Sequence, residues 1–83
     1  MTDTARTSVQ LGALIRRARK SQQLTQAALG AKIGRRQATI SNLENGEPGT
    51  ELGTLFDVLA ALNLEIMLGT RGRKGRPDIE NIF

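Results

Sequence analysis

The stretch that decides the fold spans residues 24–46 and reads LTQAALGAKIGRRQATISNLENG. It contains two short segments with apolar residues at helical spacing, separated by a turn around Gly34. Polar side chains gather at the start of the second segment. A helix-turn-helix presents its second helix to the major groove of DNA with such side chains at its leading end. The stretch therefore predicts a chain that recognises a DNA sequence.

The apolar pattern outside this stretch predicts two more helices. We expect helices over residues 9–22, 26–33, 36–45 and 51–62, because apolar residues recur there every three or four positions. The expected N-caps are Ser8, Thr25 and Thr50, and the expected C-terminal stops are Gly34, Asn45 and Asn63. The side chains expected to face inward are Leu11, Leu14, Ile15, Ala18, Ala28, Leu29, Ile33, Ile40, Leu43, Leu52, Leu55, Phe56, Leu59 and Leu62. These features predict an all-α bundle of four helices.

A different pattern follows the fourth helix. Residues 64–70 read LEIMLGT and look more like a β-strand than a helix. A single strand leaves its backbone groups unsatisfied, so we expect it to pair with the same strand of a second subunit across a homodimer. The expected dimerisation residues are Leu64, Ile66, Met67 and Leu68. The alternative is a fifth short helix, or an irregular apolar segment packed on the fourth helix.

Length and composition limit the possible functions. The chain has 83 residues and lacks cysteine, histidine and tyrosine. A single small domain of this size has a marginal core, and pairing with a second copy is a common way to bury more surface. The usual zinc ligands are missing, so we expect no metal and no cofactor. The eight acidic residues show no convergent pair, so we expect no enzymatic activity.

The expected organisation has four parts. Residues 1–8 form a flexible N-terminus, residues 9–63 the DNA-binding domain, residues 64–70 the dimerisation strand, and residues 71–83 a basic flexible tail with an apolar terminus. No apolar run approaches the roughly 20 residues of a membrane helix, and the polar start lacks the apolar core of a signal peptide. We therefore expect a cytoplasmic protein without a membrane partner.

Charge is distributed unevenly along the chain. The net charge is +4, but residues 1–43 hold eight basic residues and one acid, and residues 44–70 hold five acids and no base. A basic half that contains the predicted helix-turn-helix is what contact with phosphates requires. The acidic segment is expected to face away from nucleic acid. A merely solvated charged surface is the alternative.

The chemistry of the predicted recognition helix suits base reading. Arginine pairs with guanine, glutamine pairs with adenine, and alanine or a threonine methyl packs on the thymine methyl. The residues expected to read bases are Arg36, Gln37, Ala38, Thr39, Ser41 and Asn42. Those expected to contact the DNA backbone are Thr25, Gln26, Arg16, Arg17 and Arg35. Gln26 is also expected to hold Gln37 in position. An exposed polar helix face without a DNA role is the alternative.

A structural role is expected for two charged residues. Arg19 and Glu44 each lie near the inward edge of their helix. We expect them to form an ion pair that ties the first helix to the third. Removal of one partner from such a partly buried pair destabilises the fold by a few kcal/mol.

Residues 9–63 resemble the lambda-repressor-like helix-turn-helix family, also called the XRE or Cro/C1 type. The matching positions are Leu24, Thr25, Gln26, Leu29, Gly34, Ile40, Ser41, Glu44 and Gly46. The resemblance implies that Gln26 and Gln37 are the family's paired glutamines and that Arg19 and Glu44 are its ion pair. The chain departs from the family at Arg35 and Arg36, where a small valine-serine pair is usual, so no operator preference is implied. Gly30 stands where alanine is usual, which costs up to about 1 kcal/mol of helix propensity but permits close packing.

Residues 32–45 and 64–68 are similar to a narrower group, the HipB antitoxins. In that group a terminal strand replaces the fifth helix and builds a two-stranded sheet across the dimer. The resemblance implies a homodimeric autorepressor of a toxin–antitoxin operon that binds a palindromic operator in double-stranded DNA. It also implies a HipA-type serine/threonine kinase as the toxin partner.

Other functions stay open at this point. A stand-alone transcriptional regulator without a toxin partner has the same motif, and so does a protein-bridging helix-turn-helix module. The basic residues Arg71, Arg73, Lys74 and Arg76 either follow the DNA backbone or form a solubilising linker. The apolar residues Ile79, Ile82 and Phe83 either dock on a partner or have no role.

Overall fold

The structure, a computed structural model, describes residues 3–71 and has four helices in that range. α1 spans Ser8–Ser21, α2 spans Gln26–Ile33, α3 spans Gln37–Glu44 and α4 spans Leu52–Ala61. Each helix begins and ends within one residue of its predicted bounds. The predicted all-α bundle of four helices is therefore confirmed.

The start of α1 differs from the prediction by one residue. Thr7 is the N-cap, and its hydroxyl accepts a hydrogen bond of 3.0 Å from the backbone N–H of Gln10. The predicted cap, Ser8, instead donates its hydroxyl to the carbonyl of Gly46 at 2.9 Å. The prediction of Ser8 as cap is wrong because this side chain ties the start of α1 to the segment after α3.

The ends of α4 also differ from the prediction. Glu51 is the N-cap and makes no side-chain capping bond, while the hydroxyl of the predicted cap, Thr50, donates to the carbonyl of Glu47 at 3.3 Å. Leu62 occupies the C-cap. Asn63 follows it with a φ of 60°, the left-handed conformation that asparagine tolerates. The polar residues at both ends thus shape the loops next to α4 rather than cap it.

The turn between α2 and α3 depends on two glycines. Gly34 has φ 69° and ψ 32°, a left-handed conformation that ends α2 as predicted. The N–H of Arg35 then donates to the carbonyl of Gly30 at 2.8 Å, which folds the turn back against α2. A Cβ atom on Gly30 would lie 2.7 Å from the carbonyl oxygen of Arg35. The expected close packing at Gly30 is therefore confirmed.

The core lies where α3 packs on α1 and α2 and where α4 packs on α2. Its buried side chains are Ile15, Leu29, Ile40, Leu43, Leu55, Val58, Leu59 and Leu62. Three predicted core positions are wrong: Ala28 is exposed, and Leu52 and Phe56 are 70% and 52% exposed. Val58, which was not predicted, is fully buried. The inward face of α4 is the stripe of residues 55, 58, 59 and 62, so residues 52 and 56 lie beside it and reach solvent.

Residues 64–71 are neither helix nor strand in this single chain. The backbone N–H of Leu64 donates to the carbonyl of Leu59 at 2.8 Å, which ends α4. Beyond this bond the side chains lie open, with Met67 75% and Leu68 94% exposed. A fifth helix over this segment is therefore wrong. A strand that forms only against a second subunit stays a prediction.

Candidate nucleic-acid interface

α3 is anchored on one side and open on the other. Ile40 and Leu43 are 0% and 5% exposed, so they fix this helix on the core. On the opposite side, four of the predicted base-reading side chains are exposed, namely Arg36, Gln37, Ala38 and Asn42. The other two, Thr39 and Ser41, are half-buried. Arg36, Gln37 and Ala38 lie at the N-terminal end of this short, well-anchored helix, and Asn42 lies one turn further along it. An exposed N-terminal turn is the geometry that a major-groove reading helix needs.

A buried ion pair lies below this helix. The Nε and Nη2 atoms of Arg19 donate to the two carboxylate oxygens of Glu44 at 2.6 and 3.0 Å. Nη1 of Arg19 donates to the carbonyl of Leu24 at 2.7 Å. Both side chains are almost fully buried. The predicted ion pair between α1 and α3 is thus present, and it has the two-pronged geometry that makes arginine–carboxylate pairs strong.

Hydrogen bonds continue from this pair to the start of α3. The Nε2 atom of Gln26 donates to Oε1 of Glu44 at 3.0 Å, and Nε2 of Gln37 donates to Oε1 of Gln26 at 3.2 Å. The expected hold of Gln26 on Gln37 is therefore seen in the structure. The bond between Gln26 and Glu44 was not predicted, because the expected partners of the Gln26 amide were Gln37 and a phosphate.

The environment keeps Glu44 ionised. Burial of the carboxylate would raise its pKa, but the hydrogen bonds from Arg19 and Gln26 and the positive charges of Arg19 and Arg16 outweigh burial. The pKa of Glu44 is therefore lowered from its ordinary value. The hydrogen bond with Glu44 likewise raises the pKa of Arg19, so both partners stay charged.

The residues predicted to contact the DNA backbone differ in their contacts within the protein. Thr25 accepts from the N–H of Ala28 at 3.0 Å as the N-cap of α2, and exposed Arg16 makes no ion pair among residues 3–71. Arg17 pairs with Asp3 at 2.6 Å on the surface. For Thr25, Gln26, Arg16 and Arg17 the predicted contact with phosphate stays an expectation.

Arg35 contacts α4. Its Nη2 lies 3.3 Å from a carboxylate oxygen of Asp57, and its Nε donates to the hydroxyl of Thr54 at 3.3 Å. Both partners lie on α4, so Arg35 ties the turn to that helix. The half-exposed guanidinium has further N–H groups, so its predicted contact with phosphate stays an expectation.

Two acidic residues line a groove beside α3. This groove is lined by Thr39 and Asn42 and also by Glu47 and Glu51 of the following segment. Carboxylates disfavour a phosphate close to them, so this edge of α3 is less suited to the DNA backbone than its basic N-terminal end. That the acidic segment faces away from nucleic acid stays a prediction.

A second exposed surface is apolar. Leu52 and Phe56 project from α4, and the predicted dimerisation residues Leu64, Ile66, Met67 and Leu68 are exposed in the segment after it. Contiguous exposed apolar surface is typical of protein contacts, so these side chains are candidates for one. The predicted partner-docking residues Ile79, Ile82 and Phe83 lie outside the described residues. Within residues 3–71, no helix combines the length and the apolar character needed to cross a membrane.

The comparisons with known proteins agree with this geometry. The helix-turn-helix family model matches residues 15–67. The uncharacterized HTH-type transcriptional regulator y4dL of Sinorhizobium fredii (strain NBRC 101917 / NGR234) is 46% identical over 71 residues, which cover 83% of this chain and 34% of y4dL. Antitoxin HipB of Escherichia coli (strain K12) is 42% identical over 59 residues, which cover 71% of this chain and 67% of HipB.

A solved chain from a HipA-HipB-O2-O3 complex superposes with a TM-score of 0.79 and 35% sequence identity, over 86% of this chain and all of that one. The chain spans about a third of y4dL and about two thirds of HipB. The family match includes α2, α3 and the turn between them, and the structural match extends over nearly the whole described range. The chain therefore belongs to the helix-turn-helix family, and within that family it is similar to the HipB antitoxins.

Proposed function

We propose that the chain is a sequence-specific DNA-binding repressor of the HipB type. The observation that carries this proposal is the exposed leading end of α3. Arg36, Gln37 and Ala38 reach solvent there and Asn42 does so one turn further along, while Ile40 and Leu43 hold the helix on the core. Side chains that can pair with guanine and adenine edges are thus presented together on a rigid element.

The test is a binding titration with two DNA duplexes of equal length and composition. One carries the sequence upstream of the gene that encodes this chain, and the other is a scramble of it. We expect a specific duplex to bind about 10³-fold more tightly than the scramble near physiological salt. Affinity for both should fall as salt rises, because basic side chains release counterions from the phosphates. Equal binding to the two duplexes over the whole salt series would contradict sequence-specific recognition.

We propose that the repressor acts as a homodimer formed through residues 64–70. This segment follows α4 directly, and its apolar side chains are exposed in the single chain. Pairing with a second copy would satisfy its open backbone groups and cover Met67 and Leu68. Sedimentation equilibrium should then give twice the chain mass at micromolar concentration. A monomer at that concentration would contradict the assembly.

We also propose an antitoxin role with a HipA-type serine/threonine kinase as partner. The similarity to HipB and to a chain from a HipA-HipB-O2-O3 complex supports this role. The chain would act by binding and not by catalysis, in the cytoplasm where both partners are made. A kinase encoded beside this gene should co-purify with the chain, and its autophosphorylation should fall when the chain is added. Neither effect is expected of a regulator without a toxin.

One observation favours a second candidate, a transcriptional regulator without a kinase partner. The relative y4dL is named as an uncharacterized HTH-type transcriptional regulator, without mention of a toxin, and it matches more of this chain than HipB does. Both candidates require the same DNA interface. Specific DNA binding together with no kinase binding would support the regulator alone.

A further inference from the structure

The hydrogen bonds beneath α3 have a direction that follows from chemistry. A carboxylate can only accept hydrogen bonds, so the side of the Gln26 amide that faces Glu44 must be its NH2 group. The carbonyl oxygen of Gln26 must then face away from Glu44, toward Gln37. Since that oxygen accepts, Gln37 must in turn offer it an N–H. Each orientation is dictated by the one before it, and the first is set by a buried ion pair.

The free hydrogen-bonding groups of Gln37 are fixed as a result. Its Nε2 gives one N–H to Gln26 at 3.2 Å, which leaves a second N–H and the whole of Oε1 for other partners. Adenine presents an N6–H donor and an N7 acceptor in the major groove. One accepting oxygen beside one N–H is the pattern that pairs with these two groups.

We propose that Glu44 is a positioning residue for base reading, which sets through Gln26 the orientation of the Gln37 amide toward DNA and so selects adenine. Glu44 is buried and does not touch DNA itself. Its effect reaches the reading surface through the two hydrogen bonds of 3.0 and 3.2 Å. This assignment rests on the proposed DNA-binding function and adds to it how one base contact is determined.

The matched test replaces one glutamine by leucine inside the chain of hydrogen bonds and another outside it. Gln26→Leu removes both bonds of Gln26 and leaves the pair of Arg19 with Glu44 in place. Gln22→Leu is the control, because Gln22 donates only to the carbonyl of Leu62, at 2.8 Å. Both variants lose a glutamine amide, but only the first cuts the connection to Gln37.

The first measurement needs no DNA. The side-chain NH2 of Gln37, observed by ¹⁵N relaxation, should be ordered in the parent protein and in Gln22→Leu but mobile in Gln26→Leu. The double variant Arg19→Met/Glu44→Met removes the origin of the connection and should also leave the Gln37 amide mobile. If this amide is equally mobile in the parent and in Gln26→Leu, the proposal is overturned whatever the protein binds.

The second measurement uses duplexes selected by the parent protein from a randomised library, with each position then changed in turn. At the position whose discrimination Gln37→Ala abolishes, Gln26→Leu should lower the preference for adenine by roughly 2- to 10-fold, since a mobile side chain must be ordered on binding. Gln22→Leu should not change it. In the Gln37→Ala background Gln26→Leu should cause no further loss of discrimination, because both changes act on one contact.

The outcomes distinguish a failure of the proposed DNA binding from a failure of the role assigned to Glu44. A parent protein that selects no sequence from the library refutes the proposed function, and the relaxation measurement still tests the orientation of Gln37. A parent that selects a sequence without adenine at the Gln37 position refutes the orientation proposal alone. The same holds if Gln26→Leu weakens binding to all duplexes equally, since Gln26 would then act only on phosphate.

Discussion

The substitution Arg19→Met should strongly destabilise the fold. It removes three hydrogen bonds, two of them to the buried carboxylate of Glu44 at 2.6 and 3.0 Å. Glu44 then keeps only the amide of Gln26 as a partner, and its charge stays buried. Stranding one member of such a pair costs about 3–5 kcal/mol. A domain of this size has about 4–12 kcal/mol of total stability, so the loss is a large fraction of it.

Thermal and urea denaturation followed by circular dichroism measure this effect. For a domain of this size, 1 kcal/mol corresponds to roughly 4–8 °C in Tm, so Arg19→Met should lower Tm by at least about 12 °C. The matched control is Arg17→Met, which breaks an ion pair of the same 2.6 Å separation on the surface of α1. Exposed pairs contribute about 1 kcal/mol or less, so this variant should melt within a few degrees of the parent.

The sign of the pH dependence gives a sharper check. In the parent, the pKa of Glu44 is lowered on folding, so its stabilisation is complete above the unfolded pKa and is lost as the pH falls through the folded pKa. In Arg19→Met the carboxylate stays buried without its cation, so its folded pKa should rise above the unfolded value. Protonation then relieves the penalty at low pH. The difference in unfolding free energy between variant and parent should therefore be smaller at pH 4 than at pH 7.

Two results would refute this reasoning. One is an Arg19→Met protein with the same Tm as Arg17→Met. The other is a loss of unfolding free energy in Arg19→Met that is the same at pH 4 and pH 7. The double variant Arg19→Met/Glu44→Met should recover most of the lost stability, because replacing both partners with apolar side chains leaves no stranded charge. No recovery would point to lost packing of the arginine stem as the main cost.

Further predictions concern the proposed DNA contacts, two glycines and the dimer. Gln37→Ala should change base preference, and an equal loss of affinity for specific and random duplexes would contradict this. Arg16→Ala should weaken binding to all duplexes and lower the slope of log affinity against log salt by roughly one unit. Gly30→Ala should lower the free energy of unfolding, measured in urea, by about 1–3 kcal/mol, because its Cβ would lie 2.7 Å from the carbonyl oxygen of Arg35. A stability equal to that of the parent would disprove that contact. Gly53→Ala, with open space around its Cβ, should be neutral or slightly stabilising in the same measurement. Leu68→Lys should shift sedimentation toward monomer while leaving the helical circular dichroism unchanged, and an unaltered dimer would exclude this side chain from the interface.

The sequence was sufficient for the parts of the fold that depend on local signals. Gly34 and Thr25 mark the two ends of α2, since a left-handed stop and a hydroxyl cap are properties of single residues. The alignment of Ile40 and Leu43 on one side of α3 follows from helical spacing alone. The ion pair of Arg19 and Glu44 was also predictable, because a charged residue at the inward edge of a helix needs an opposite charge nearby.

Two of the errors in the predicted core have a common physical origin in α4. This helix carries apolar residues on more than one face, so spacing alone did not determine which of them face inward. Leu52 and Phe56 lie at helical spacing and were predicted to be buried, but Val58 takes the inward position. The hydrogen bond between Gln26 and Glu44 was missed for another reason: Gln26 is uncharged, so its position did not call for a carboxylate partner as that of Arg19 did.

Under the proposed function, substitutions of exposed residues on α3 can change which DNA sequence is bound with little effect on the stability of the fold. Arg36 makes no side-chain capping bond, and Ala38 and Asn42 are exposed, so exchanging these residues changes little in the interior. Under the proposed function, duplicated copies of such a gene can thus diverge in the operators they control while keeping one scaffold. Gln37 is different, since its partner inside the protein restricts what can replace it. Drift in specificity among related operons should therefore begin at Arg36, Ala38 and Asn42.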